Sequence, residues 1–199
     1  EDFEKPPATQ AGYLPARPRD LWGSLLGLLL LMGFHASQTA HWIANDTRSP
    51  AWDQSVQLET AFDLKENLSR GDLGGALRMA PKPGMPPFPP LFHFTILKAI
   101  AAPDPIAATL WVGWAYLAFF CLALWGLGRH FLGPWEGLGA AVLLTCVPEV
   151  QWLQREILVD IALAAWVSAA YWALAASDGL KRRGPAALFG ALFAAAMMT

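Results

Sequence analysis

The sequence predicts an all-α protein, a polytopic transmembrane helical bundle whose long first loop faces outward and carries a short interfacial helix. Of the 199 residues, 55% are hydrophobic and only 15% are charged, and the mean hydropathy is +0.34. This composition is more apolar than that of most soluble domains. The apolar residues also fall into long runs, which is the pattern that a membrane span requires.

The charged residues and the missing motifs exclude several function classes. The formal net charge is -2 and the Lys and Arg residues form no basic stripe, so nucleic-acid binding is not expected. The chain has no GxGxxG, P-loop, HExxH or GxSxG motif, which argues against nucleotide, zincin and hydrolase sites. Cys121 and Cys146 lie in apolar runs without CxxC spacing and are predicted to be small buried hydrophobic residues.

The first predicted span is residues 21–40, "LWGSLLGLLLLMGFHASQTA". Twenty residues at a rise of 1.5 Å cross a hydrocarbon core of about 30 Å. A cleaved signal peptide is the competing interpretation, but the polar segment before the run is long and "SQTA" is a poor cleavage site. A membrane anchor is therefore favoured, with residues 1–20 as a cytoplasmic tail.

Four further spans are predicted at residues 105–127, 135–147, 157–176 and 185–199, of which 135–147 is short and the last is cut off by the chain end. If the spans alternate, the basic clusters share one side: Arg17 and Arg19, Arg129, and Lys181 to Arg183. The positive-inside rule makes that side cytoplasmic in a multi-pass protein of the plasma (inner) membrane. Loop 41–104 and the turn at 147–156 then face outward, where they can meet. The start at Glu1 and the apolar end predict a piece of a longer protein.

The outward loop opens with "RSPAWDQSVQLETAFDL", which has helical periodicity. Its apolar residues occupy one arc, opposite the acids, which predicts an amphipathic helix on the membrane surface: Leu58, Ala61, Phe62, Leu64 and Leu68. Ser49 as N-cap and Pro50 in the first turn would place Asp53 near the helix N-terminus. A simple alternative role for Asp53 is to complement the helix dipole.

The loop continues into "PKPGMPPFPPLFHF", whose proline density forbids helix and favours polyproline II. Lys82 and His93 flank this run and Lys98 follows it, so each is a candidate cation for a phosphate. A lone outward lysine is more often solvated or snorkelling than bound to a ligand.

The segment "QREILVDIAL" places Glu156 and Asp160 four positions apart, on one face if it is a continuous helix. In hydrocarbon, Asp160 would cost about 2.5 to 3.5 kcal/mol, so it should face protein, water or a cation. Arg155 would point about 140° away from Asp160 on an ideal helix, because each residue turns by about 100°. A counter-charge from the first loop is therefore expected.

The order of these parts resembles the N-terminal half of GT-C membrane glycosyltransferases, of the protein O-mannosyltransferase and lipid A aminoarabinose transferase type. The resemblance covers residues 20–199 and rests on "AWDQSVQLETAFDL", "PPL" and "REILVDIAL". The family's loop acid corresponds to Asp53, which is followed here by Gln54 where the family usually has Glu. The family's "KPPL" or "YPPL" corresponds to Pro89, Pro90 and Leu91, preceded here by Phe88.

The resemblance implies an inverting transfer of a sugar from a polyprenyl-phosphate donor to a lipid, glycan or protein acceptor at the extracytoplasmic face. It implies that Asp53 is the catalytic base and that the donor phosphate contacts Lys82, His93 and Arg155. Glu156 and Asp160 would be supporting acids or ligands of a divalent metal, Mg or Mn, and Pro89 and Pro90 would shape the loop. The alternatives are a non-catalytic membrane subunit, a transporter fragment, and a pseudoenzyme that binds lipid phosphate.

Overall fold

A computed structural model describes residues 17–78 and 91–199. Within those ranges 82% of the residues are helical and no strand occurs, which confirms the all-α class. The described helices are α1 (Pro18–Asn45), α2 (Trp52–Ser69), α3 (Leu73–Arg78), α4 (Leu91–Ala99), α5 (Pro105–Phe131), α6 (Pro134–Thr145), α7 (Pro148–Arg155), α8 (Asp160–Ala176) and α9 (Arg183–Met197). The predicted polyproline segment, with Lys82, Pro89 and Pro90, lies outside the described residues.

Prolines set several helix starts in this chain. Helices α1, α5, α6 and α7 each begin at a proline, where the missing N–H costs no hydrogen bond and φ is already helical. Asp104 also caps α5, because its carboxylate accepts a hydrogen bond from the Ala107 N–H at 3.0 Å. The start of α2 differs from its prediction: its N-cap is Ala51 and no side chain caps it, so Ser49 and Pro50 precede the helix.

Two helices, α1 and α5, are long and apolar enough to cross a membrane. Helix α1 turns large apolar side chains away from the protein, as lipid contact requires: Trp22, Leu26, Leu29, Leu30 and Phe34. Its inward face carries the buried polar residues Ser24, His35 and Thr39. Polar groups inside and apolar groups outside are typical of a membrane helix.

The other predicted spans are helices, but shorter ones. Helix α6 has 12 residues, which at 1.5 Å per residue gives about 18 Å, too short to cross the core alone. Helix α9 has 15 residues. Helices α7 and α8 meet at an angle of 115° and count as one span only if the bent pair is taken together. Residues 17–78 and 91–199 therefore contain two candidate spans, or three with the bent pair.

Helix α5 lies at the centre and packs against α1, α4, α6, α7 and α8, while α9 packs on α8. The core around it contains Leu117, Cys121, Ala162 and Ala165, each fully buried. Glycine brings α5 and α6 into backbone contact, since a Cβ on Gly128 would lie 2.6 Å from the Gly137 Cα. Cys121 is buried as predicted, whereas Cys146 is exposed because it caps the end of α6.

The basic clusters gather at one end of the bundle. Trp125 donates to the Ser24 hydroxyl at 3.2 Å, so the start of α1 lies beside the end of α5. Arg129 and Arg182 line one cavity, which brings the end of α5 next to the start of α9. We call this the basic end. The grouping agrees with the alternation of helices that the sequence predicts.

The loop between α1 and α5 folds back onto the protein. The predicted membrane-facing arc of α2 is largely covered by α4, with Leu58, Ala61 and Leu64 buried and Phe62 exposed. The surface-helix prediction is thus corrected: most of this apolar face contacts protein. The Leu91 N–H also donates to the Met198 carbonyl at 2.9 Å, which joins the start of α4 to the end of α9.

Candidate functional site

The opposite end of the bundle is organised by a broken helix. Glu156 ends α7 with an extended backbone (φ -97°, ψ 149°), and α8 starts at Asp160 after a bend of 115°. Glu156 and Asp160 are therefore not one turn apart on a continuous helix, and the predicted shared face is wrong. The expected short turn at 147–156 is instead the helix α7.

A cavity of about 340 Å³ lies where the start of the outward loop meets the end of α7. Its polar lining consists mainly of Asp46, Arg48, Gln54, Arg155 and Glu156. A neighbouring cavity of about 370 Å³ shares Asp46 and Arg155 with it and also contacts Trp42. The two segments that are predicted to face outward meet here, and we call this pair of cavities the polar site.

Trp42 positions both cations of the polar site. The Arg48 guanidinium carbon lies 4.9 Å from the ring centroid of Trp42, and that of Arg155 lies 4.8 Å away. Each contact is in the range of a cation–π interaction, worth about 0.5 to 2 kcal/mol. One indole therefore joins the last turn of α1 to the end of α7.

Arg155 keeps an unused donor at the polar site. Its Nε is buried and has no hydrogen-bond partner in the part of the chain that the structure describes. A buried donor without an acceptor costs about 1 to 3 kcal/mol, and more on a charged group. Arg155 also lines the cavity, and a guanidinium has five N–H donors, so an oxyanion there would accept from those that face it.

Arg48 forms a salt bridge with Asp46 through two hydrogen bonds. Its Nε donates to Oδ1 at 2.8 Å and its Nη2 donates to Oδ2 at 3.1 Å. The hydrogen bond from Arg48 lowers the pKa of Asp46, and the same bond raises the pKa of Arg48, with a smaller contribution from the charge of Glu156. Glu156 is only 9% exposed. The site thus holds two carboxylates and two guanidiniums, of which Arg155 has the buried free donor.

Two of the predicted acids lie outside this lining. Asp53 is exposed in the first turn of α2, and its neighbour Gln54 is the residue that lines the cavity. Asp160 is exposed in the first turn of α8. Both sit at helix N-termini, where a carboxylate complements the helix dipole. Of the predicted residues, Arg155 and Glu156 line the polar site.

His93 lies in the interior, between α2 and α4. It is 3% exposed, and its Nε2 lies 2.5 Å from the Gln57 Oε1. Burial lowers the pKa of His93 to about 4, so the ring is neutral at pH 7. The structure therefore does not bring it to the polar site as a cation. Lys82, Pro89 and Pro90 fall in the undescribed segment.

The sequence interpretation missed three residues of the site: Trp42, Asp46 and Arg48. They stand in "HWIANDTR", directly after the first apolar run. A Trp followed by charged residues at the end of a span is typical of the membrane interface, and that signal could have pointed to them.

The metal prediction found no geometric support. Within residues 17–78 and 91–199, no group of three or more His, Cys, Asp or Glu side chains is placed to hold a metal ion. Asp53, Glu156 and Asp160 do not form such a group there. The divalent metal stays a prediction.

Comparison of the chain with protein-family models, with curated proteins and with solved structures finds no match.

Proposed function

We propose that this protein is an integral membrane glycosyltransferase that moves a sugar from a polyprenyl-phosphate donor to a lipid, glycan or protein acceptor. The observation that carries the proposal is the position of Arg155, whose guanidinium stacks on Trp42 and which lines a cavity at the end of an apolar bundle. By the positive-inside rule, the basic end faces the cytoplasm of a plasma-membrane protein and the polar site faces outward.

The position of the polar site suits a lipid-linked donor. The polyprenyl tail stays in hydrocarbon while its phosphate reaches the interface, where α1 ends and α7 breaks. Arg155 donates to a phosphate oxygen, and Arg48 adds a second positive charge nearby. These groups stabilise the negative charge that develops on the leaving phosphate.

The proposed reaction is a direct displacement. The acceptor hydroxyl oxygen bonds to the anomeric carbon, the bond from that carbon to the phosphate oxygen breaks, and the electron pair leaves with the phosphate. Asp53, which is exposed next to the lining residue Gln54, takes the hydroxyl proton. Glu156 and Asp160 are supporting acids. Attack opposite the leaving phosphate inverts the anomeric configuration.

The experiment measures sugar transfer by the full-length protein in membranes supplied with candidate polyprenyl-phosphate sugars. Asp53→Asn should lower turnover by roughly 10² to 10⁴, the usual worth of a general base. Asp63→Asn is the matched control, since Asp63 is an exposed acid on the same helix. Undiminished transfer by Asp53→Asn, at equal membrane insertion, would refute the assignment. Repeating the assay with a chelator tests whether sugar transfer requires a divalent metal.

A second candidate, a protein that binds polyprenyl phosphate without turnover, is favoured by one observation. The side chain next to Arg155 and Glu156 in the cavity is the amide Gln54, while Asp53 is exposed beside it. Saturable binding of polyprenyl phosphate that Arg155→Gln abolishes, without transfer from any donor, would support this candidate over the first.

A further inference from the structure

A groove of about 880 Å³ opens at the basic end, between α5, α8 and α9. Its walls are apolar along most of their length, with Phe119, Trp172, Leu188 and Leu192 among the lining residues. Leu188 is 52% exposed, so the groove is open to its surroundings along α9. A volume near 900 Å³ is at the upper end of ordinary ligand pockets.

The depth of the groove corresponds to one leaflet. On α5 it extends from Phe119 to Arg129, and ten residues at 1.5 Å give about 15 Å. Half of a hydrocarbon core of about 30 Å is the same length. The groove therefore follows the leaflet from near the bilayer centre to the interface.

The mouth of the groove is cationic. Arg129, His130 and Arg182 line it together with one acid, Asp178. The Lys181 ammonium lies 4.0 Å from the Asp178 carboxylate and offsets its charge. Arg129 stacks over Trp125 at 4.8 Å, and Arg182 makes one long hydrogen bond to the Ala176 carbonyl at 3.4 Å. Each guanidinium has five N–H donors, so both keep donors for an anion.

We propose that this groove binds an anionic phospholipid, with its phosphate between Arg129 and Arg182 and an acyl chain along α5 and α9. The charge at the mouth and the leaflet-deep apolar walls together match this one class of ligand. Basic pockets between membrane helices on the cytoplasmic side bind acidic headgroups in the same way. The site is separate from the polar site and does not depend on sugar transfer.

The test uses delipidated full-length protein in detergent, titrated with phosphatidylglycerol or phosphatidylcholine and followed by native mass spectrometry. Phosphatidylglycerol should form a saturable one-to-one complex at about tenfold lower concentration than phosphatidylcholine. The double variant Arg129→Gln/Arg182→Gln should lose that preference. Arg129→Lys/Arg182→Lys should keep most of it, which separates loss of charge from loss of folding.

The matched control is Arg19→Gln/Arg183→Gln, which removes two exposed cations at the same end that do not line the groove. This control should bind phosphatidylglycerol as the parent does. Equal affinity for the two lipids, or an equal loss in the control pair, would overturn the proposal. The absence of saturable lipid binding would also overturn it, since it would mean that another part of the full-length protein covers the groove.

Discussion

The Arg155 guanidinium lies 4.8 Å from the ring centroid of Trp42, and this contact fixes the end of α7 against the last turn of α1. Arg48 approaches the same ring at 4.9 Å. The two cations of the polar site therefore share one aromatic support, and the position of each depends on the same side chain.

Trp42→Ala should weaken binding of polyprenyl phosphate about tenfold, because both guanidiniums lose the ring that positions them. Trp42→Phe retains a π-face and should lose less. The measurement is a titration of the purified protein with polyprenyl phosphate. Trp22→Ala removes an exposed Trp at the basic end and serves as control. Unchanged binding by Trp42→Ala would contradict the assigned role.

Arg155→Gln should lower the affinity for polyprenyl phosphate and leave the stability of the fold nearly unchanged. It loses the contact with Trp42, worth about 0.5 to 2 kcal/mol, but also removes a buried donor without a partner in the described chain, which costs about 1 to 3 kcal/mol, so the thermal midpoint should hardly fall. Affinity for polyprenyl phosphate should fall at least about tenfold, because a charge-assisted bond is lost. Arg70→Gln, in an exposed ion pair with Glu66, should change neither quantity. A large drop in the midpoint with affinity intact would show that Arg155 is structural.

Gly137→Ala should destabilise the protein by about 1 to 3 kcal/mol, the usual cost of overpacking. The new Cβ would meet the backbone of α5 at Trp125 and Arg129. Gly139→Ala on the same helix meets no atom within 4 Å, so it should be neutral or stabilising by up to about 1 kcal/mol. Thermal unfolding in detergent measures both, and equal midpoints would contradict the close packing of α5 and α6.

His93 should make the protein acid-sensitive. Burial lowers its folded pKa to about 4 from an ordinary value of 6.5, so between these pH values the unfolded chain binds the proton and the folded chain does not. Stability should fall as the pH decreases from 6.5 to 4, by about 3 kcal/mol in total.

The variant His93→Gln should flatten this acid-side decrease, since the amide does not titrate and can still donate to Gln57. His41→Gln changes an exposed histidine and keeps His93, so it should retain the decrease. The measurement is the midpoint of chemical unfolding from pH 7 to pH 4. Parallel curves for His93→Gln and the parent protein would exclude His93 as the cause.

Helix positions followed from the sequence because apolar runs and prolines mark them directly. Pro105, Pro134 and Pro148 each stand at the start of a helix. The break after Arg155 could not be predicted, since "REILVDIAL" has no Gly or Pro and reads as a continuous helix. Its bend depends on tertiary contacts: the Gln154 amide donates to the buried Thr39 hydroxyl at 3.0 Å, across 115 positions of sequence.

The candidate site was predicted in part. Arg155 and Glu156 were found because charges beside an apolar run are conspicuous. Trp42, Asp46 and Arg48 were missed because each is individually ordinary at the end of a span. Only the folded contact of the Trp42 ring with two guanidiniums from separate segments distinguishes them.

The hydrogen bond between the Leu91 N–H and the Met198 carbonyl has a structural consequence. Helix α9 lines the groove at the basic end, and the Met198 carbonyl at its other end accepts the hydrogen bond from the first residue of α4. Helix α4 in turn contacts α2 through His93 and Gln57, and α2 carries Gln54 to the polar site. A continuous series of contacts therefore runs from the groove along the 15 residues of α9 to α4, α2 and Gln54 at the polar site.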